Sequence, residues 1–257
     1  MNRRTENIRA LAAGCLFQVV DKGRSLSDVL PVAQDKLINP KDKALLQQLC
    51  YGVLRWLPKL DFYSSRLLQK PLKGKQRPFV FLLYVGFYQL SMMRIPAHAA
   101  ISETVEAVIS MNASGMKGMI NAVLRSFQRQ QQKLDEQAEK VDSCRLGHPN
   151  WFIKQVKALY PQQWEPILLA NQQQAPMWLR VNQQQFSRAN YVKQLNDADI
   201  ATHTHEPLEQ GIRLDKAIDV FRLPGFEQGS CAVQDGAAQF AAQVMDVQPG
   251  DRVLDAC

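Results

Sequence analysis

Arg77-Pro78-Phe79-Val80-Phe81-Leu82-Leu83-Tyr84-Val85-Gly86-Phe87-Tyr88-Gln89-Leu90-Ser91-Met92-Met93 decides the fold of this chain. It reads as a very apolar helix, and a helix apolar on all sides belongs at the centre of a bundle. Its longest apolar run, Phe79 to Leu90, is broken by Tyr84, Gly86, Tyr88 and Gln89. That is well short of the roughly eighteen residues of a membrane span. On its N-terminal side Pro71 to Pro78 is a basic loop, and Pro58 starts a helix toward Leu68. Leu45, Leu49, Val53 and Leu57 recur every four residues in a helix that Asn39-Pro40 opens with a cap residue and a proline at the first helical position. A shorter helix is predicted over Ser27 to Lys36. Before it, Ile8, Leu11, Ala12, Cys15, Leu16 and Val19 form one helical face that Gly23 closes. On the C-terminal side Pro96 opens a helix toward Ser110, and Asn112-Ala113-Ser114-Gly115 is a turn. A last helix runs from Gly118 to about Lys133, with Ile120, Val123, Leu124 and Phe127 on one face. About seven helices with short connections predict a helical bundle over 1–140. Gln128 to Lys140 is almost entirely polar and reads as the frayed tail of that helix or as a linker, which places the first domain boundary at 140.

Beyond it the periodicity is mixed. Trp151 to Tyr160 and Gln163 to Asn171 read as helices. Met177, Leu179 and Val181 alternate with Trp178, Arg180 and Asn182, the period of a strand. Ser187 caps a helix to Asn196. Ile200–His203, Ile212–Leu214 and Cys231–Val233 are short strands, and Gly236 to Met245 is a helix. A small α+β region is thus expected over 141–232. Residues 233–257 lead through the turn Pro249-Gly250-Asp251 to an apolar strand, Val253-Leu254, and then Asp255-Ala256-Cys257. In open α/β sheets ligands bind beyond the carboxyl ends of strands, so 233–257 read as the start of a third, Rossmann-type domain. The fold class is mainly α, a bundle followed by α+β and one α/β strand.

The apolar content of 46% is ordinary for a globular protein. The basic start, Met1-Asn2-Arg3-Arg4-Thr5-Glu6, lacks the apolar core of a signal peptide. Five scattered cysteines without a C-x-x-C argue against a disulfide framework and a zinc site, and for a reduced cytoplasm. Charge is unevenly spread. Residues 1–140 hold 21 Lys+Arg against 11 Asp+Glu, and residues 141–257 hold 10 against 13. A basic half joined to a mildly acidic half implies different partners, with an anionic polymer for the first.

The cations concentrate between Arg55 and Arg94, where Arg55, Lys59, Arg66, Lys70, Lys73, Lys75, Arg77 and Arg94 face a single acid, Asp61. Lys117, Arg125 and Arg129 follow on the last helix, the latter two four apart and on one face. Surface charge normally mixes sign, so this imbalance points to nucleic-acid contact, mostly through phosphates. The candidate RNA-binding residues are Arg55, Lys73, Lys75, Arg77, Arg94, Lys117, Arg125 and Arg129. Of the other constellations, His203 and His205 lack a third metal ligand at any telling spacing, so no metal is expected. His98 reads as a hydrogen-bonded structural histidine and His148-Pro149 as a helix start. Trp56, Trp151, Trp164 and Trp178 read as core rather than stacking platforms. Asp235 and Asp255 lie near expected strand ends, within reach of a ligand. There is no Gly-rich phosphate loop and no G-x-S-x-G.

Several long stretches resemble the bacterial ribosomal small-subunit RNA methyltransferase B family, which makes 5-methylcytosine. They are Lys43-Ala44-Leu45-Leu46-Gln47-Gln48-Leu49-Cys50-Tyr51-Gly52-Val53-Leu54-Arg55, Arg94-Ile95-Pro96-Ala97-His98-Ala99-Ala100-Ile101-Ser102-Glu103-Thr104-Val105-Glu106 and Lys117-Gly118-Met119-Ile120-Asn121-Ala122-Val123-Leu124-Arg125. The last two are the most specific and are similar to those of a NusB-like RNA-binding domain. His148-Pro149-Asn150-Trp151 and Trp178-Leu179-Arg180-Val181-Asn182 resemble the family's connecting region. Val233-Gln234-Asp235 and Leu254-Asp255-Ala256-Cys257 resemble the entry to its methyltransferase domain.

The resemblance implies S-adenosyl-L-methionine as cofactor and small-subunit ribosomal RNA as partner, in a cytoplasmic, monomeric protein. It implies that Asp255, Ala256 and Cys257 begin a cofactor loop that the family continues as Ala-Ala-Pro-Gly-Gly-Lys, leaving most of the pocket outside these residues. Small residues there let backbone approach the cofactor. The family's nucleophile is a cysteine in a Thr-Cys motif, aided by one in a Pro-Cys motif. Here Gly14, Leu49, Ser143, Ser230 and Ala256 precede the five cysteines, so no catalytic residue carries over. The 257 residues alone are expected to bind RNA without methylating it, and residues from about Gln248 onward are expected to lack a settled sheet position. A non-catalytic RNA-binding module of the antitermination type is the alternative.

Overall fold

The computed structural model describes residues 7–254 and Ala256. By contact it divides into two compact units, Met1–Gln172 and Gln173–Cys257. The first is all helix: α1 (Ile8–Val20), α2 (Leu26–Gln34), α3 (Pro40–Arg55), α4 (Leu57–Leu67), α5 (Pro78–Met92), α6 (Ala97–Ser110), α7 (Lys117–Ala138), α8 (Asp142–Leu146), α9 (Asn150–Leu159) and α10 (Trp164–Gln172). The helix ends follow local chemistry. Asn7 caps α1 by accepting from the amides of Arg9 and Ala10 at 2.9 and 3.2 Å. Asn39 caps α3 just before Pro40. Gly23, with φ +68°, lets the chain turn out of α1 while its amide donates to the Val19 carbonyl.

The opening apolar stretch is the bundle's axis. Phe79 to Gln89 are all buried in α5, and α1, α3, α4, α6 and α7 all pack on it. Two glycines permit the closest approaches. A Cβ on Gly52 of α3 would overlap the Tyr88 ring, and one on Gly86 would stand 2.5 Å from Leu124 Cδ2 of α7. An aromatic cluster joins the elements, with Phe127 centred 4.9 Å from Tyr63 and 4.7 Å from Phe87.

The same core holds a polar thread. Gln89, fully buried, accepts from Arg9 Nε at 3.1 Å and donates to Thr104 Oγ1 at 3.1 Å; Thr104 donates to the Ala100 carbonyl at 2.7 Å. Arg9 is only 9% exposed and also faces Glu103 at 3.6 Å. Burial pulls its guanidinium below the ordinary arginine range, with the Glu103 carboxylate opposing. Gln89→Leu would strip this guanidinium of an acceptor in a dry site. A loss of about 2–4 kcal/mol is expected in urea unfolding followed by far-UV circular dichroism. An unchanged midpoint would show the thread to be dispensable.

The polar tail differs from the linker expectation. α7 continues to Ala138, because Leu134 and Ala138 stay buried and carry the apolar face of Phe127 onward. The Tyr63 hydroxyl donates to Asp135, and Lys59 reaches Asp135 and Glu139 at 3.7 and 3.3 Å. Burial and the Asp135 carboxylate push the Tyr63 phenol up. Helices α8 to α10 belong to this first unit, which therefore extends past the boundary expected at 140. Leu146, Ile153, Val156 and Leu168 form a satellite core there. Arg145 ties Glu165 to Asp142.

The second unit holds β1 (Trp178–Val181), α11 (Arg188–Asp197), β2 (Thr202–Thr204), β3 (Gly211–Leu214), β4 (Cys231–Val233) and α12 (Gly236–Met245). The sheet is antiparallel in the order β2-β3-β1-β4. Leu179, Val181, Ile212, Leu214 and Cys231 pack with Tyr191 and Leu195 of α11. β2 starts two residues later than expected. Asp199 takes a left-handed turn (φ +58°) after α11, and Ile200 is spent on the core instead. Val253-Leu254 carries a strand pattern but forms no strand, in a segment expected from about Gln248 onward to lack a settled sheet position. Residues 251–254 are irregular and pair with none of the four strands, and Val253 and Leu254 are 53% and 86% exposed. An apolar pair without a sheet neighbour has no ladder to hold it extended.

Candidate nucleic-acid interface

The eight basic residues do not share one condition. Arg77 is committed: its guanidinium grips the Asp21 carboxylate through two bonds of 2.8 and 2.9 Å and lies over the Phe81 ring. That fork holds the Asp21 carboxyl below the usual carboxylate range and raises Arg77. Lys117 meets Glu106 at 2.8 Å. Lys59, counted in the basic run, is neutralised by its two acids. Arg55, Lys73, Lys75, Arg94, Arg125 and Arg129 are exposed and meet no carboxylate among the described residues.

Folding gathers part of this set. A groove of about 430 Å³ runs between α6 and α7, and its lining includes Lys117, Asn121, Arg125 and Gln128 from α7 with His98 and Ser102 from α6. Arg125 Nε donates to Asn121 Oδ1 at 3.2 Å, which holds the guanidinium along the groove. Arg129 follows one turn later, and Arg94 lies three residues before α6. Gln76 reaches Met116 Sδ at 4.0 Å, so the basic turn carrying Lys73, Lys75 and Arg77 adjoins the start of α7. Arg55 sits elsewhere, at the last turn of α3, with its carbonyl toward Gly147.

Sequence reasoning missed the groove's neutral donors. His98 was expected to be a bonded structural histidine; it is exposed at the first turn of α6 and lines the groove. Asn121 and Gln128 drew no notice. The signal was present, because Lys117, Asn121, Arg125, Gln128 and Arg129 fall at helical spacing opposite the apolar face. Trp151, expected in the core, is 64% exposed. Asp235 is spent as the cap of α12, accepting from the Ala237 amide at 2.8 Å. His203 Nε2 lies 2.6 Å from Asp215 Oδ1. His148 Nδ1 lies 2.5 Å from the Leu146 carbonyl just before α9.

Of the three residues expected to begin a cofactor loop, Asp255 and Cys257 lie outside the described residues and Ala256 is exposed. Cys15, Cys50, Cys144 and Cys231 are free and buried.

The NusB family model matches residues 6–129, and the model described as Methyltr_RsmF/B-like, ferredoxin-like domain, matches residues 148–221. The chain is 53% identical over 251 residues to the ribosomal RNA small subunit methyltransferase B of Vibrio cholerae, covering 98% of this chain and 58% of that protein. It is 48% identical to the protein of the same name from Vibrio vulnificus, covering 98% and 59%, and 48% identical to that from Yersinia pestis, covering 99% and 59%. The chain thus spans about three fifths of the length of these relatives. The crystal structure of PH0851 shares the fold, with a TM-score of 0.60 at 15% identity over 97% of this chain and 57% of that one. With a NusB domain followed by an RsmF/B-like ferredoxin-like domain, and about half of its residues identical to these relatives along nearly its whole length, the chain belongs to the ribosomal RNA small subunit methyltransferase B family.

Proposed function

We propose that these residues are the RNA-holding part of an S-adenosylmethionine-dependent ribosomal RNA (cytosine-C5) methyltransferase, a cytoplasmic monomer acting on small-subunit rRNA. The observation that carries the reading is the cationic groove between α6 and α7, in a chain whose relatives are named as ribosomal RNA small subunit methyltransferases. The groove's unpaired Arg125, with Arg129 one turn further along α7, suits phosphates, and its amides and imidazole suit base edges or ribose hydroxyls. Binding to a small-subunit rRNA fragment, read by fluorescence anisotropy across a salt series, is expected to weaken steeply, by about 0.7 in log affinity per unit of log salt for each phosphate contacted. Salt-independent binding would overturn the reading.

Methyl transfer is not expected from the 257-residue polypeptide. The cysteines at 15, 50, 144 and 231 are at most 6% exposed, and burial pushes the Cys144 and Cys231 thiols up, away from the nucleophilic thiolate. Labelled methyl groups from S-adenosylmethionine should not appear in small-subunit rRNA incubated with it, and incorporation above background would refute this. The NusB match also favours a second reading, a non-catalytic antitermination-type module. Competition separates the two: preference for small-subunit rRNA over unrelated RNA of equal length is the outcome of the first reading alone.

A further inference from the structure

The second unit is acidic overall, with 7 Lys+Arg against 11 Asp+Glu over residues 173–257, yet one face of its sheet is cationic. Leu179, Val181, Ile212 and Leu214 point into the core, so strand alternation turns their neighbours outward. Register then sets two rows. His203, Arg213 and Trp178 lie side by side across β2, β3 and β1, and Gly211, Arg180 and Ala232 lie side by side across β3, β1 and β4. Arg180 and Arg213 are therefore diagonal neighbours, about 7–8 Å apart. α12 covers only part of this face: Gly236 packs close to the Trp178 ring and Gln239 Nε2 reaches the Leu179 carbonyl at 3.4 Å. Arg180, His203, Arg213 and Ala232 remain exposed. Neither arginine meets a carboxylate among the described residues, and Asp215 engages His203 instead.

Two hollows flank the arginines. One, of about 690 Å³, is lined in part by Pro176, His203, Arg213 and Lys216. The other, of about 460 Å³, is lined in part by Arg180, Gln183, Gln184 and Gln210. Two unpaired guanidinium groups at diagonal positions of one face suit a polyanion laid across them, and the glutamine amides beside Arg180 both donate and accept, as base edges and ribose hydroxyls require.

We propose that this outer sheet face is a second RNA-contact surface, with Arg180 and Arg213 on backbone phosphates and the Gln183–Gln184–Gln210 end against bases or ribose. The proposal rests on the reading that the chain binds RNA, and it gives the 141–232 region, expected from the resemblance to orient RNA, a specific contact surface. The test uses the whole chain, Arg180→Gln/Arg213→Gln, and anisotropy with a small-subunit rRNA fragment. The double variant should bind about tenfold or more weakly near 0.1 M salt, with the salt slope reduced by about 1.4, or 0.7 for each lost contact. Ultraviolet crosslinking of the unsubstituted chain should place RNA adducts on peptides containing residues 178–184 or 213–216, a readout that does not depend on how the variant folds. Unchanged affinity and slope in a variant with native circular dichroism, with no adducts there, would overturn this proposal alone if Arg125→Glu/Arg129→Glu still weakened binding strongly. Failure of the unsubstituted chain to bind RNA would overturn both readings. Binding of an acidic peptide that depends on the two arginines, with RNA affinity indifferent to them, would reassign the face to a protein partner and overturn the RNA assignment.

Discussion

Arg125→Glu/Arg129→Glu is expected to weaken binding of a small-subunit rRNA fragment on the order of 100-fold near 0.1 M salt, and to lower the salt slope by about 1 to 2. The two side chains lie one turn apart on α7, and Arg125 is held along the α6–α7 groove by Asn121. Reversal removes two phosphate contacts and sets two carboxylates against the backbone, so the loss exceeds that of deletion. Both residues are exposed, and the thermal midpoint should barely move. Lys73→Glu/Lys75→Glu should cost about tenfold by the same physics. Arg77→Glu is a poorer probe, because it also breaks the fork to Asp21 and places two acids together. An anisotropy titration of Arg125→Glu/Arg129→Glu indistinguishable from the unsubstituted chain would remove the groove from the RNA path.

Phe127→Ala is expected to destabilise the first unit by about 3–5 kcal/mol. The ring is fully buried and sits between Tyr63 of α4 and Phe87 of α5. Its removal leaves a cavity that three helices cannot close together, because Gly86 already brings α5 against Leu124 of α7. Urea unfolding should show a lower midpoint with little change in slope, and Phe127→Leu, which keeps most of the volume, should lose far less. A change under about 1 kcal/mol for the alanine variant would mean the cluster is not packed as described.

Much of the bundle was legible because its signals are local. Asn39-Pro40, Gly23 and the apolar run of α5 each act through bonds to near neighbours or through plain helical spacing. The polar tail was not legible in the same way. Leu134 and Ala138 are too sparse among glutamines and charges to declare a face, and they become one only when Tyr63 and Lys59 of α4 arrive opposite. The candidate interface was half legible. Sequence supplied the excess of cations; which of them are free depended on carboxylates far along the chain, Asp21 for Arg77 and Glu106 for Lys117. Arg180 and Arg213 escaped notice because they lie 33 residues apart within an acidic segment, and only the β1–β3 register makes them neighbours.

By itself the sequence determined most of the order of helices and strands and the basic character of the first half. These follow from spacing, capping and composition, which need no partner distant in the chain, and the family follows from likeness to known chains. Tertiary structure alone decided that Gln89 is a buried hinge of hydrogen bonds rather than an interruption, and that α8 to α10 close with the bundle. It also decided that the cations sort into committed and free. Each of these depends on which group from another element fills the space beside a residue, and charge, burial and pairing acquire their energy only once that neighbour is in place.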